Sequence, residues 1–220
     1  MSGFFNIDNP LFTVLSKIAD MLVLSIIYLL LCIPIITIGP ATTALYYTVV
    51  KVVRRDRGYM FREFFKSFKL NFKKGAIVGV VLTIIQLVLA FDLYYAWSML
   101  EVDPKKGSIL LGVFLALFAF TIIFIMYVFP LLSRFEISYG QMIKSSIFMS
   151  IRHILYTILM LLVVIAAVIL VILSNFMLIV IMPALTIFIN SFMMEKVLKK
   201  YMPKSQGPPE ETGIDEWYLE

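Results

Sequence analysis

Histidine and cysteine are nearly absent from this chain, each occurring once, as His153 and Cys32. A lone cysteine excludes an intramolecular disulfide and a multi-cysteine metal site. A lone histidine leaves little for imidazole-based metal or proton chemistry. Charge is scarce too: Asp, Glu, Lys and Arg make up 15% of the residues, against about 25% in soluble domains. With 61% hydrophobic residues, a chain of 220 residues has too little polar surface to coat a soluble particle. Lipid must cover much of it, so an integral membrane protein is expected.

Catalytic signatures are missing as well. The chain has no Gly-x-x-x-x-Gly-Lys-Ser/Thr loop, no His-Glu-x-x-His and no Gly-x-Ser-x-Gly. His153, next to Arg152, reads as a headgroup-level residue, and Cys32 as a small apolar side chain within the first span. No catalytic, cofactor-binding or metal-binding residue is assigned, and a non-enzymatic role is expected.

What the chain does have is long apolar runs. A bilayer core needs roughly 20 apolar residues per helix. The runs give spans at 19–38, 76–97, 108–132, 154–173 and 176–194. The last two come from one stretch, Ile154 to Met194, without Asp, Glu, Lys or Arg. One helix of that length would far exceed the bilayer, so it should fold back at Ser174-Asn175, whose side chains favour turns. Pro183 is a kink candidate in the fifth span. The expected fold class is all-α: a five-helix transmembrane bundle forming a single domain over residues 1–202. The first run is longer than a signal-peptide core and is preceded only by Lys17 among the bases, so it is expected to be retained rather than cleaved at Ala41-Thr42-Thr43-Ala44.

The net charge of +5 would suggest nucleic acid in a soluble chain, but here it marks topology. Sixteen of the nineteen Lys and Arg fall in the segments 39–75, 134–153 and after 195, leaving Lys17, Lys105 and Lys106 on the other side. The positive-inside rule then gives a multi-pass plasma membrane protein with its N-terminus outside and its C-terminus cytoplasmic.

The segment after the first run is the most informative. It reads Pro34-Ile-Ile-Thr-Ile-Gly39-Pro40-Ala-Thr-Thr-Ala-Leu-Tyr46-Tyr47, followed by the basic stretch Lys51 to Arg57. Gly39-Pro40 reads as the end of the first span, Thr42 and Thr43 as caps, and Tyr46 and Tyr47 as interfacial anchors. A sharper reading is a re-entrant element lining a cavity. Phe61, Phe64, Phe65, Phe68 and Phe72 then recur at helical spacing, interleaved with Arg62, Lys66 and Lys69. This predicts an amphipathic cytoplasmic helix over 59–73. Its candidate interaction surface is Arg62, Phe64, Phe65, Lys66, Phe68, Lys69 and Phe72, suited to anionic lipid headgroups or to a groove on a partner.

These blocks resemble the YesL family of bacterial membrane proteins. The resemblance rests on Pro34 to Tyr47, on Arg55 to Phe61 and on Phe64 to Phe72, and extends more loosely through Phe129 to Phe135. It implies a membrane domain of unknown function, often encoded beside carbohydrate uptake and sensing systems. It brings no catalytic residue.

Four polar residues fall inside spans: Asp20, Gln86, Asp92 and Asn190. Asp20, with Lys17 as its local partner, and Asp92 read as carboxylates near the outer face, and Gln86 and Asn190 as interhelical hydrogen-bonding groups. There is a weak internal echo. Pro34 and Pro130 each precede a basic segment with a Lys-Ser pair, Lys66-Ser67 and Lys144-Ser145, and then another span. Residues 203–220, rich in Pro and acids, read as a disordered acidic cytoplasmic tail, with Asp215 to Leu219 as a docking motif for a basic surface.

The expected function is that of a non-enzymatic accessory or assembly factor for a carbohydrate uptake or sensing system. The expected partners are the lipid bilayer with its anionic headgroups and an ABC-type sugar permease or sensor. The alternative is a small oligomeric secondary transporter of a sugar or ion, acting as a homo-oligomer. No cofactor and no nucleic acid partner is expected.

Overall fold

The computed structural model describes residues 10–202; the acidic tail at 203–220 lies outside the described residues. Among the described residues the chain is all-α, with eight α-helices and no strand. α1 spans Pro10–Leu31 and stops before Pro34, which lacks an amide donor and disfavours helix in the residue before it. The Thr37 hydroxyl donates to the carbonyls of Leu31 and Pro34, satisfying backbone that the break leaves open. The helix therefore ends well short of residue 38, and Cys32 lies just beyond it.

A short 3-10 turn, Ile35–Thr37, leads into α2, Ile38–Thr48, which runs on as a π-helical stretch, Val49–Arg54. Gly39-Pro40 is thus not the turn after the first span but the first turn of a buried helix, where proline is tolerated. Thr42 and Thr43 do not cap it. Like Thr48, they return their hydroxyls to carbonyls four residues back, which lets Thr43 and Thr48 be fully buried. Tyr46 is buried rather than interfacial.

α3, Met60–Leu70, packs along α2, and α4, Phe72–Val102, follows after Asn71 alone. α2 crosses α4 where Gly39 meets Gly75 and Gly79; a Cβ on Gly39 would run into the Gly75 carbonyl. α4 and α5, Pro104–Arg134, form the longest hairpin. Asp103 caps α5 by accepting from the Lys106 amide, with Pro104 in the first turn. α6, Tyr139–Arg152, opens with a capping box of Ser138 and Gln141. α7, Ile154–Leu173, ends at Ser174, and Asn175 and Phe176 reverse the chain with φ of 49° and 64°. α8, Met182–Leu198, holds Pro183 in its first turn, so that proline starts the helix instead of kinking it.

Five helical segments are long and apolar enough to cross a membrane: Thr13–Leu31, Ile35–Arg54, Phe72–Val102, Pro104–Arg134 and Ile154–Leu173. They differ from the expected set. The segment Ile35–Arg54, read from sequence as the start of a cytoplasmic loop, is one of them, and α8, at 17 residues, is shorter than the rest.

α1 runs antiparallel to 38–54: Tyr28 meets Thr42 near one end, and Lys17 pairs with Asp56 at 3.0 Å at the other. Lys17 was expected opposite the basic loop, with Asp20 as its partner; it lies beside that loop instead. Arg55, adjacent to Asp56, pairs with Glu195 near the end of α8. Lys17 on α1 and Glu195 on α8 therefore lie toward the same end of the bundle. The segment Ile35–Arg54 thus adds one helical traverse to the expected set.

A repeat is visible in the helix order, but in a register other than that of Pro34 with Pro130 or of the Lys-Ser pairs. A long helix, a short amphipathic helix and a long apolar helix follow one another twice, as 38–54, α3 and α4, and as α5, α6 and α7. Tyr47 and Tyr127, Arg54 and Arg134, Asp56 and Glu136, Tyr59 and Tyr139, and Phe68 and Phe148 recur at one constant spacing.

Candidate functional site: a buried glutamate at the basic end

The long α2 to Arg54 segment and α5 both deliver basic residues to α8. Glu195 lies on the buried face of α8, with its side chain 2% exposed. Its Oε1 accepts from the Tyr46 hydroxyl at 2.8 Å and from Arg134 Nη2 at 2.9 Å. Its Oε2 lies 3.5 Å from Arg55 Nη2. Arg54 completes the grip on α8, donating to the Ser191 carbonyl at 2.9 Å, with its guanidinium 4.2 Å from the Phe192 ring centre. Burial lowers the pKa of Arg55. Glu195 opposes that shift, and Arg134, Arg54 and Arg57 add to it. An arginine so shifted stays charged.

Taking a carboxylate and a guanidinium out of water costs several kcal/mol each, offset only when geometry and further hydrogen bonds are good. Here the carboxylate meets a tyrosine and two arginines from three different elements. Oε1 takes both hydrogen bonds, while among the described residues Oε2 has no hydrogen-bond partner and meets Arg55 as an ion pair. The arrangement ties α8 to α2 and α5. Among the described residues, no group of three or more His, Cys, Asp and Glu is placed to hold a metal ion.

A second buried pair lies on the same π-helical stretch. Lys51 Nζ is 3.0 Å from Glu63 on α3 and also donates to Tyr47. This pair and the apolar packing of Phe64 against Met21, Leu24, Leu45 and Val53 fix the inner face of α3. The expected contact surface is therefore divided. Phe64 is wholly buried and Phe68 half-buried, and they stack at 6.5 Å inside the molecule. Phe61, Arg62, Phe65, Lys66 and Lys69 lie on the exposed side, with Phe72 exposed at the start of α4. The phenylalanine stripe is split: Phe64 and part of Phe68 pack inward, while Phe61, Phe65 and Phe72 lie with the cations on the outward side.

The four polar span residues do not converge. Gln86 on α4 donates to Thr121 on α5 at 2.8 Å, an interhelical bond as expected. Asn190 makes no such bond: its Oδ1 is buried without a partner, and the residue lines a cavity of about 140 Å³ between α2, α5, α7 and α8. Thr42 and Tyr46 also line that cavity, so the cavity-lining reading of this segment applies to them. Asp20 on α1 and Asp92 on α4 stay apart from Glu195. His153, the junction of α6 and α7, lies 3.1 Å from the Tyr201 hydroxyl.

Sequence reasoning missed Glu195, Arg134 as its partner, and the Lys51–Glu63 pair. One signal was available: Glu195 is the first charged residue after the charge-free run from Ile154. Nothing local shows that it faces inward, because Lys196, Lys199 and Lys200 follow it.

Comparison with known proteins places this architecture. Residues 18–93 match the model of a family described as protein of unknown function, DUF624. That segment carries Tyr46, Lys51, Arg55 and the Gly39–Gly75–Gly79 crossing, but not Arg134 or Glu195. The chain is 24% identical over 153 residues to the uncharacterized protein YesL of Bacillus subtilis (strain 168), covering 69% of this chain and 70% of YesL. It is 27% identical over 136 residues to the uncharacterized protein YteU of the same organism, covering 61% of this chain and 59% of YteU. No solved structure matches. Residues 18–93 therefore match the DUF624 family model, in an all-helical chain that is similar to YesL and YteU and has five segments long and apolar enough to cross a membrane.

Proposed function

We propose that this protein is a non-enzymatic accessory or assembly factor of the membrane, which engages a partner through the outward face of α3. The observation behind this reading is that α3 is pinned along one side by Phe64 and the Lys51–Glu63 pair while Phe61, Arg62, Phe65, Lys66 and Lys69 face outward. A rigid helix with cations beside aromatic rings suits an acidic protein surface at the level of anionic headgroups. The partner we favour is an ABC-type permease or sensor for carbohydrate. The carbohydrate element comes from the family resemblance and from no residue of this chain.

The test is a photo-crosslinking amino acid at Phe65 in native membranes. A specific, repeatable adduct with a permease or sensor subunit, lost when Arg62, Lys66 and Lys69 are changed to Gln, supports the reading. Adducts with lipid alone reject it. An oligomeric secondary transporter is the second reading, favoured by the cavity adjoining Tyr46, the partner of Glu195. Sugar or ion flux in proteoliposomes, abolished by Glu195→Gln in a variant that still folds, would select it.

A further inference from the structure

The cavity between α5 and α7 plays no part in the α3 surface. Its walls are largely apolar, with Ile125 and Phe129 on α5 and Met160 and Val164 on α7. Two neutral polar residues, Thr186 and Asn190, line it one turn apart on α8. Among the described residues, neither side chain has a hydrogen-bond partner, and Asn190 Oδ1 is shielded from solvent. An amide oxygen left unpaired in such surroundings is unfavourable. No ionisable side chain other than Tyr46 lines the space, and the Tyr46 hydroxyl is engaged by Glu195.

We propose that this cavity is a binding site for a neutral, hydroxyl-bearing lipid. Its chain lies between α5 and α7, its hydroxyl pairs with the Asn190 amide once that side chain turns toward the cavity, and Thr186 provides a second hydrogen bond. The chemistry of the walls selects this class. A fatty acid carboxylate would find no cation among the lining residues. A free sugar would bring more hydroxyls than the few polar side chains here can satisfy, each unpaired hydroxyl being unfavourable. Thr42 and Tyr46 are already bonded elsewhere, and of the polar lining residues only Thr186 and Asn190 are not. A lipid matches the apolar walls and reaches the site from the bilayer that surrounds α5 and α7. This site is independent of the α3 contact surface, so the failure of either proposal leaves the other standing.

The probe is a monoacylglycerol with a diazirine in its acyl chain, added to the full-length protein in phosphatidylcholine nanodiscs and mapped by mass spectrometry after photolysis. Labelling is expected to concentrate at Ile125, Met126 and Val164. Excess unlabelled monoacylglycerol should compete, the matching fatty acid should not, and Asn190→Leu should weaken binding about tenfold, the worth of one hydrogen bond. If Asn190→Leu misfolds, Thr186→Val carries the same comparison. Labelling spread over lipid-facing residues such as Ile84 and Val88, equal competition by the fatty acid, or unchanged labelling in a folded Asn190→Leu protein would each overturn the proposal. So would a cavity that holds water alone.

Discussion

Arg134 Nη2 donates to Glu195 Oε1 at 2.9 Å, with the two side chains only 1% and 2% exposed. This bond ties the end of α5 to the end of α8, and removing one partner leaves the other charge buried. Glu195→Leu and Arg134→Met should each destabilise the fold by about 3–5 kcal/mol. The double variant should recover part of that loss, because two uncompensated charges are replaced by two apolar side chains. Reversible denaturant unfolding in micelles gives the three values. Strictly additive losses would show that the pair does not act as a unit.

Gly39 permits the close crossing of α2 and α4. Gly39→Ala should destabilise by about 1–3 kcal/mol or more, since the obstacle is the Gly75 backbone carbonyl and not a mobile side chain. Gly112 on α5 is the control: a Cβ there meets nothing within 4 Å. Gly112→Ala should be neutral or stabilising by up to about 1 kcal/mol. Thermal unfolding of the two variants side by side tests both statements.

The Lys17–Asp56 ion pair puts the start of α1 beside the loop after Arg54. In a Cys32→Ser background, Lys17→Cys with Asp56→Cys should be joined by a short bifunctional thiol crosslinker that spans the reach of the two side chains, whereas Lys17→Cys with Lys106→Cys should not. Impermeant thiol reagents should also reach Lys17→Cys and Asp56→Cys from the same side of the membrane. Labelling from opposite sides would contradict the arrangement.

His153 should titrate below the usual histidine value of 6.5, because burial and then Lys200 and Arg152 disfavour its charged form. The folded protein thus binds this proton less readily than the unfolded chain. The stability contributed by the neutral ring is present above pH 6.5 and is lost as the pH falls through the folded midpoint. Imidazole NMR shifts of the lone histidine measure that midpoint directly. A value above 6.5 would show that the Tyr201 contact favours the cation.

The membrane class, the helical fold and the YesL-family resemblance were legible in sequence because each rests on local information. Apolar run length reports lipid exposure, and the Pro34 to Tyr47 block is a continuous string. The segment Ile35–Arg54 was misread for a physical reason. Its Gly, Thr and Tyr residues lower its hydropathy because it packs against protein, with threonine hydroxyls satisfied by its own backbone. The Phe61–Phe72 spacing correctly indicated a helix. Spacing alone does not tell a face buried against α1 and α2 from one exposed to a partner, and Phe64 and Phe65, adjacent in the chain, fall on different sides.

By itself, the sequence determined that this chain lives in lipid, that it is built of helices and that its cations gather toward one end. Those properties depend on composition and periodicity, which need no partner to be read. The tertiary structure alone decided that Lys17 on α1 and Glu195 on α8 lie toward the same end of the bundle, that Glu195 is locked by Tyr46, Arg55 and Arg134, and that Asn190 lines a cavity without a partner. Each of these depends on residues far apart in sequence meeting across helices, and no local pattern encodes which inward-facing polar group will find its complement.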